Sequence, residues 1–202
     1  MKPRTFHPRL PLRPLALSIA CMGLAPALAQ SILPSFTPGG YIASTGVSVA
    51  GTTGALPIGG RSLAISQTAL RAIIDWNTFS IGKNDAVNIS QSLGVSSILL
   101  NRVTGNELST IAGQLTAPGR VFLVNPNGVM FSQGATVNVG GLVASTLGLK
   151  ATDADFLGGA TQLTFERPDG NAKVVSNAGV LTATSGPVVL MGAEVSNTGS
   201  IT

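Results

Sequence analysis

Few side chains in this chain of 202 residues have the chemistry of a catalytic centre or a metal site. The one cysteine, Cys21, and the one histidine, His7, both lie near the start. The acidic residues are Asp75, Asp85, Glu107, Asp153, Asp155, Glu166, Asp169 and Glu194. Polysaccharide lyases and hydrolases need clustered carboxylates or a cation site. Only Asp153 and Asp155 are close in sequence, and we expect them in a solvated loop. The residues therefore predict no enzyme, no metal ion and no cofactor.

Residues 1–29 have the three parts of a secretory signal peptide. A start with four basic residues precedes a short apolar segment and then the small-x-small sequence Ala27-Leu28-Ala29. We expect export by the Sec machinery and cleavage between Ala29 and Gln30. The apolar segment is too short for a bilayer core of about 30 Å, which argues against a membrane anchor. A lipoprotein signal at Cys21 is disfavoured because Ser18 replaces the usual aliphatic residue.

Cleavage would remove the cysteine, the histidine and four of the twelve lysines and arginines, leaving eight basic and eight acidic residues. The remaining chain could form no disulfide, no Cys/His metal site and no Ser-His-Asp or Cys-His catalytic centre. Its neutrality argues against a nucleic-acid partner. A chain without disulfides also suits passage through a narrow pore in an unfolded state.

Residues 30–202, which we expect to form one domain, consist mainly of short β-type runs between turn residues. The runs are Val47–Ala50, Val87–Ile89, Ser97–Val103, Val121–Val124, Thr136–Val139, Leu163–Phe165 and Val188–Met191. We expect a short helix near Ser66–Ala72 and a single helical turn within Asn106–Ala112. A hairpin or projecting turn is expected at Pro168-Asp169-Gly170.

A repeat of 20 residues joins V-S-N-A-G-V at Val175 to V-S-N-T-G-S-I at Val195. Short strands with Asn and Gly at the corners are typical of a β-solenoid, in which equivalent asparagines can stack. The chain ends within such a pattern at Thr202, and we expect a fragment of a longer repetitive protein. A short protein with a capping partner is the alternative.

Asn125-Pro126-Asn127-Gly128 stands between two apolar runs, and each of its residues suits its position in a β-turn. Further blocks accompany it: I-D-W-N-T-F-S-I at Ile74, L-N-R-V-T-G at Leu100, I-A-G-Q-L at Ile111 and G-L-V-A-S-T at Gly141. In this order, and over roughly residues 40–202, the chain resembles the secretion domain of two-partner-secretion exoproteins, the family of filamentous haemagglutinin and the high-molecular-weight adhesins. Val129 replaces the usual Ile, and the N-P-N-L motif of filamentous haemagglutinin is missing.

The resemblance implies an all-β fold, a right-handed parallel β-helix with small extra-helical sheets and an N-terminal cap. It also implies a partner, an Omp85-type outer-membrane transporter whose periplasmic POTRA domains bind the exported chain. The product would be secreted or held on the surface of a Gram-negative bacterium, via the periplasm and outer membrane. An adhesin module that binds host glycans is the alternative function, although the chain has few aromatic platforms. Trp76 and Phe79 are expected in the core or cap.

The expected functional motif is Asn125, Pro126, Asn127 and Gly128, with Asn101, Arg102, Val103 and Thr104 second. These residues could contact the transporter or fix the turns that let the domain fold. Turn chemistry accounts for each of the first four. Arg102 lies between apolar residues and needs an acceptor, which could be a partner, an internal carboxylate or backbone carbonyls.

Overall fold

The structure is a computed structural model, and it describes residues 32–36, 42–51, 60–166 and 173–202. The predicted signal peptide, its cleavage site at Ala29 and Gln30, and the predicted hairpin at Pro168-Asp169-Gly170 lie outside the described residues. The strands are β1 Ile42–Ala43, β2 Val47–Gly51, β3 Ser62–Gln67, β4 Arg71–Trp76, β5 Ala86–Gln91, β6 Ile98–Val103, β7 Ser109–Ile111, β8 Gln114–Val124, β9 Val129–Phe131, β10 Thr136–Ser145, β11 Gly148–Leu149, β12 Phe165–Glu166, β13 Val174–Asn177, β14 Val180–Ala183, β15 Val188–Met191, β16 Glu194–Asn197 and β17 Ser200–Ile201. Among the described residues there is one α-helix, α1, at Asp153–Gly158, and a short 3-10 helix at Gly94–Ser96.

The strands wind into a β-solenoid of about six turns, or rungs, which confirms the predicted parallel β-helix. Rung one contains β3 and β4, and rung two contains β5, β6 and β7. Rung three is the long strand β8 followed by β9, and rung four is β10 followed by β13. Rung five contains β14, β15 and β16, and β17 begins rung six. Strands in consecutive rungs pair in parallel, so each rung is a template for the next.

An N-terminal cap covers the first rung, as predicted. The short strand β1 pairs antiparallel with β4, and β2 pairs antiparallel with β3. Ser35 forms a further antiparallel bridge with Thr78. These pairings occupy backbone groups that would otherwise remain open at the start of the sheets. The predicted extra-helical sheet is also present, as β11 and β12, which pair antiparallel outside the solenoid.

Two separate cores hold the domain together. Side chains that alternate inward along the strands fill the solenoid, and Trp76 and Phe79 are fully buried there, as expected. A second core lies on the outer face of the sheet formed by β4, β6 and β8. It contains Ile73, Leu100 and Phe122, and it is covered by Phe156 of α1. We call this the outer core.

The 20-residue repeat is confirmed as stacking of rungs four and five. Val175 pairs with Val195 and Asn177 with Asn197 in the register of β13 and β16. The Asn177 Nδ2–H donates to Asn197 Oδ1 at 2.8 Å. Amides also stack on the other side of the solenoid, where Gln91 Nε2–H donates to Gln67 Oε1 at 2.8 Å. These amide ladders satisfy polar groups that would be costly to leave unpaired.

Three local predictions are wrong. The expected helix at Ser66–Ala72 is the corner between β3 and β4, where buried Gln67 donates to the carbonyls of Ala69 and Ile98. The expected helical turn within Asn106–Ala112 contains the strand β7, which pairs with β9.

The expected loop at Asp153 and Asp155 is the helix α1. Thr152 caps its N-terminus in a reciprocal capping box with Asp155. The burial of Phe156 in the outer core explains why so short a segment is helical.

Candidate functional site

Asn125, Pro126, Asn127 and Gly128 form a tight turn at the corner between β8 and β9. The backbone N–H of Gly128 donates to the carbonyl of Asn125 at 3.1 Å and closes the turn. The Asn125 Oδ1 accepts from the backbone N–H of Asn127 at 2.9 Å. This side-chain bond to the backbone two residues on is an Asx-turn. Asn125 is fully buried, and Pro126 and Asn127 are partly exposed.

The turn is bonded to the corner of the rung before it. Asn125 Nδ2 donates to the carbonyl of Glu107 at 2.9 Å and to Ser109 Oγ at 2.8 Å. Asn127 Nδ2 donates to the carbonyl of Gly105 at 2.8 Å. The corner of rung three therefore takes its shape partly from the loop of rung two. Sequence reasoning missed Ser109 because nothing in its local sequence marks it as the partner of Asn125.

Gly128 has a backbone conformation that other residues rarely adopt. Its φ is +122°, and a Cβ added there would lie 2.7 Å from Leu108 Cδ1. The position is also buried. The backbone angle therefore requires glycine, whereas the exposed Leu108 side chain could move to relieve the short contact.

The second motif, Asn101 to Thr104, lies at the end of β6 and alternates between the inside and the outside of the solenoid. Asn101 is fully buried, accepts from Trp76 Nε1–H at 3.0 Å and donates to the carbonyl of Phe122 at 3.3 Å. Val103 is buried in the inner core. Thr104 Oγ1 donates to the carbonyl of Trp76 at 3.0 Å. The motif thus joins the tryptophan block of rung one to rung three.

Arg102 points outward and holds two carboxylates. Its Nε donates to Asp75 Oδ1 at 2.6 Å, and its Nη2 donates to Asp75 Oδ2 at 2.8 Å. Its Nη1 donates to Asp153 Oδ1 at 2.8 Å. These bonds, first to Asp75 and then to Asp153, raise the pKa of Arg102 further above its usual range. The bond from Arg102 lowers the pKa of Asp153 below 3.8. The acceptors of Arg102 are therefore internal carboxylates, one of the three possibilities that the sequence left open.

The two motifs belong to one corner of the solenoid. The loop that follows Thr104 is the one bonded by Asn125 and Asn127, so the eight predicted residues form one continuous structure. Their most buried members, Asn101 and Asn125, contact only the interior. Pro126, Asn127, Arg102 and Thr104 reach the surface. This arrangement stabilises the fold and leaves a small mixed surface exposed.

Within the described ranges, no three His, Cys, Asp or Glu side chains are grouped so that they could hold a metal ion. Across those residues no helix has the length and apolar character needed to cross a membrane.

The solenoid, its cap and this corner define a secretion domain of the two-partner type. A family model described as "TPS secretion domain" matches residues 43–202. The chain belongs to this family, as the sequence motifs predicted. Exoproteins of the family in Gram-negative bacteria are secreted or surface-exposed, and a TPS domain implies an outer-membrane transporter as partner. The family points to a non-enzymatic role, and the comparisons do not favour the carbohydrate-binding alternative.

The chain is similar to a heme/hemopexin-binding protein of Haemophilus influenzae, strain Rd, with 39% identity over 146 residues. That match covers 70% of this chain and 16% of the relative. A second heme/hemopexin-binding protein of Haemophilus influenzae is 44% identical over 88 residues, covering 44% of this chain and 9% of the relative. The chain therefore spans under a fifth of the length of these relatives.

The structure resembles the crystal structure of the HMW1 secretion domain from Haemophilus influenzae, with a TM-score of 0.69 and 32% identity. The match covers 80% of this chain and 41% of the other chain.

We expect Gly128→Ala to lower the free energy of unfolding by about 1–3 kcal/mol, because alanine is strained at this φ. Gly134→Ala is the matched control, since its φ of +88° is nearer the left-handed region at about +60° that alanine can adopt, and a Cβ there meets nothing within 4 Å. Urea unfolding of both variants measures the difference. A loss at Gly128 no greater than that at Gly134 would contradict the greater backbone strain at φ +122°.

The Arg102–Asp153 pair predicts a pH dependence. Because the folded state lowers the pKa of Asp153, the pair stabilises the protein above the ordinary pKa and loses this effect as pH falls through the lowered pKa. Asp153 is half-exposed, so we expect Asp153→Asn to cost less than about 1 kcal/mol at neutral pH. Urea unfolding should show this difference at about pH 7 and a smaller one at about pH 2.

Glu194→Gln, which changes an exposed acid on β16, is the control for the loss of a negative charge. A difference between the native chain and Asp153→Asn that persists undiminished in acid would contradict the assignment.

Proposed function

We propose that this domain is the export address of a longer exoprotein and is recognised by the POTRA domains of an Omp85-type outer-membrane transporter. The Sec machinery would deliver the chain to the periplasm, with cleavage between Ala29 and Gln30. The observation that supports the proposal is the match of the capped solenoid, with its Asn125–Gly128 corner, to the TPS secretion domain.

Covered strand edges favour recognition before the domain folds. A transporter that captures its cargo by strand addition needs unpaired backbone groups. In the folded domain, β1 and β2 occupy the first-rung edges of β4 and β3. In the described part of the chain, β15, β16 and β17 each pair on one side only, so the edges are covered at the start of the solenoid alone. An extended chain offers the backbone groups of the first rungs free, and we infer that the POTRA domains bind this part of the chain in an extended form.

Folding outside the cell would give the export its direction. Each rung of a solenoid contacts mainly its neighbours, so rungs can form in order as the chain emerges. A folded domain of typical stability, about 5–15 kcal/mol, would not return through the pore. No nucleotide hydrolysis is needed for this bias.

The corner residues divide between two roles in this proposal. Asn101 and Asn125 have no exposed surface and act in folding, as the internal partners of Trp76 and Ser109. Pro126, Asn127 and Arg102 keep exposed surface and are the candidates for contact with the transporter after the turn has formed. Gly128 acts through its backbone conformation, and Val103 acts through packing in the inner core.

The activity of the longer protein would lie beyond this domain. The relatives are named for binding heme and hemopexin, and we propose that this activity be tested first on the full-length protein. Adhesion to host glycans would likewise belong to other parts of that protein. The only histidine and cysteine of this chain fall in the predicted signal peptide, so the secretion domain itself offers neither of these two haem ligands.

We expect Asn127→Ala to reduce secretion through the cognate transporter, because Asn127 ties the turn to Gly105 and is also partly exposed. Asn138→Ala, an exposed asparagine on β10, is the matched control and should be secreted normally. Immunoblotting of culture medium and periplasm measures both. Normal secretion of Asn127→Ala would remove this residue from the mechanism.

We expect purified POTRA domains to bind the mature chain when it is kept unfolded in mild urea, and to bind the refolded chain much more weakly. Titration calorimetry measures the unfolded chain in urea and the refolded chain without urea, and circular dichroism checks that the POTRA domains stay folded in that urea. The absence of binding to either form would reject the proposed partner. Equal affinity for the two forms would reject the requirement for an extended chain.

A further inference from the structure

Residues 147–166 leave the solenoid between β10 and β13 and return across its outer face. This segment, which we call the strap, contains β11, α1 and β12. It departs from the corner of rung four, directly beyond the Asn125 turn, whose Asn125 N–H donates to the carbonyl of Ser145 at 2.9 Å. The proposed function assigns no role to the strap.

The strap covers a straight column of apolar side chains. Ile73 pairs with Leu100, Leu100 with Phe122, and Phe122 with Val143, so the column runs across rungs one to four in register. Phe156 of α1 is fully buried against it, and its ring meets that of Phe122 edge-on at 6.2 Å. Leu149, Leu163 and Phe165 complete the cover. Without the strap, this column would be an apolar stripe on the surface.

Polar bonds fasten the strap to the two earliest rungs. Arg71 on β4 donates from Nη1 to the carbonyl of Phe156 at 3.2 Å, and its guanidinium lies 5.6 Å from the centre of the Phe156 ring. Arg102 on β6 joins Asp153 at the first residue of α1 to Asp75 on β4. The helix is thus held at both rung one and rung two.

These contacts change the way the solenoid can open. In an ordinary solenoid each rung contacts only its neighbours, so rungs can be lost one at a time from an end. A segment that packs on four rungs at once couples rungs that do not touch each other. We propose that the strap is a lock that makes rungs one to four a single cooperative unit, leaving rung five to open independently.

The position of the strap in the chain determines when the lock forms during export. Rungs one to three precede it, so during export they would form with their apolar column uncovered and would be locked only after residue 166 has emerged. This order of emergence rests on the proposed export. The lock itself does not, and it is tested on the purified chain alone.

The test is hydrogen exchange, read by mass spectrometry, on the mature chain and on Phe156→Ala. We expect the amides of β4, β6 and the second halves of β8 and β10 to exchange at least about tenfold faster, as one group. Amides of β14, β15 and β16 should change less than about twofold, because rung five already opens alone. Leu157→Ala, at the exposed neighbour on the same helix, is the control and should leave all of these rates unchanged.

Two results would overturn the lock. Faster exchange confined to residues 147–166 would make the strap a local surface patch, and equal acceleration in rung five would show that the whole domain opens together. If Phe156→Ala does not fold, Phe156→Leu leaves a smaller void and is judged by the same two results. Failure of the POTRA binding experiment would leave this measurement unaffected.

Discussion

The in-register pairing of rungs is the constraint on which the rest of the structure depends. Backbone hydrogen bonds hold consecutive rungs about 4.8 Å apart, so every inward side chain meets its equivalents above and below. At the corners, the backbones of consecutive rungs leave the least space for a side chain. A Cβ at Gly105 would lie 2.2 Å from the carbonyl oxygen of Asn77, so this corner requires glycine. Each rung must therefore be compatible with its neighbours before it can be stable.

Buried amides make the register between the rungs specific. Asn101 and Asn125 lie in an otherwise apolar interior, and a buried polar group without a partner costs about 1–3 kcal/mol. Asn101 accepts from Trp76 on rung one, and Asn125 donates to Ser109 and to the carbonyl of Glu107 on rung two. Blocks that are separate in sequence are therefore one structure, and an error of register would remove hydrogen bonds from both amides.

The sequence predicts the parts of this structure that local pattern controls. Strands such as β5, β6 and β15, the Asn125 turn and the pairing of β13 with β16 follow from apolar runs, turn chemistry and an intact 20-residue repeat. The pairing of Asp75 with Arg102 does not, because earlier rungs differ in length and no constant spacing connects these residues. The helix α1 was missed for a related reason. It has six residues, too few for a helical period, and it depends on the tertiary contact of Phe156.

The burial of the motif residues limits how a transporter can recognise this domain. A side chain with no exposed surface, such as Asn125, cannot touch a transporter once its turn has closed. A transporter could therefore contact Asn125 directly only in an unfolded chain, and recognition of the folded corner must use Pro126, Asn127, Arg102 or Thr104. Folding would then bury the same Asn125 amide that is accessible in the extended chain. The transporter would bind while the turn is open, and closure of the turn against the preceding rung would release the chain.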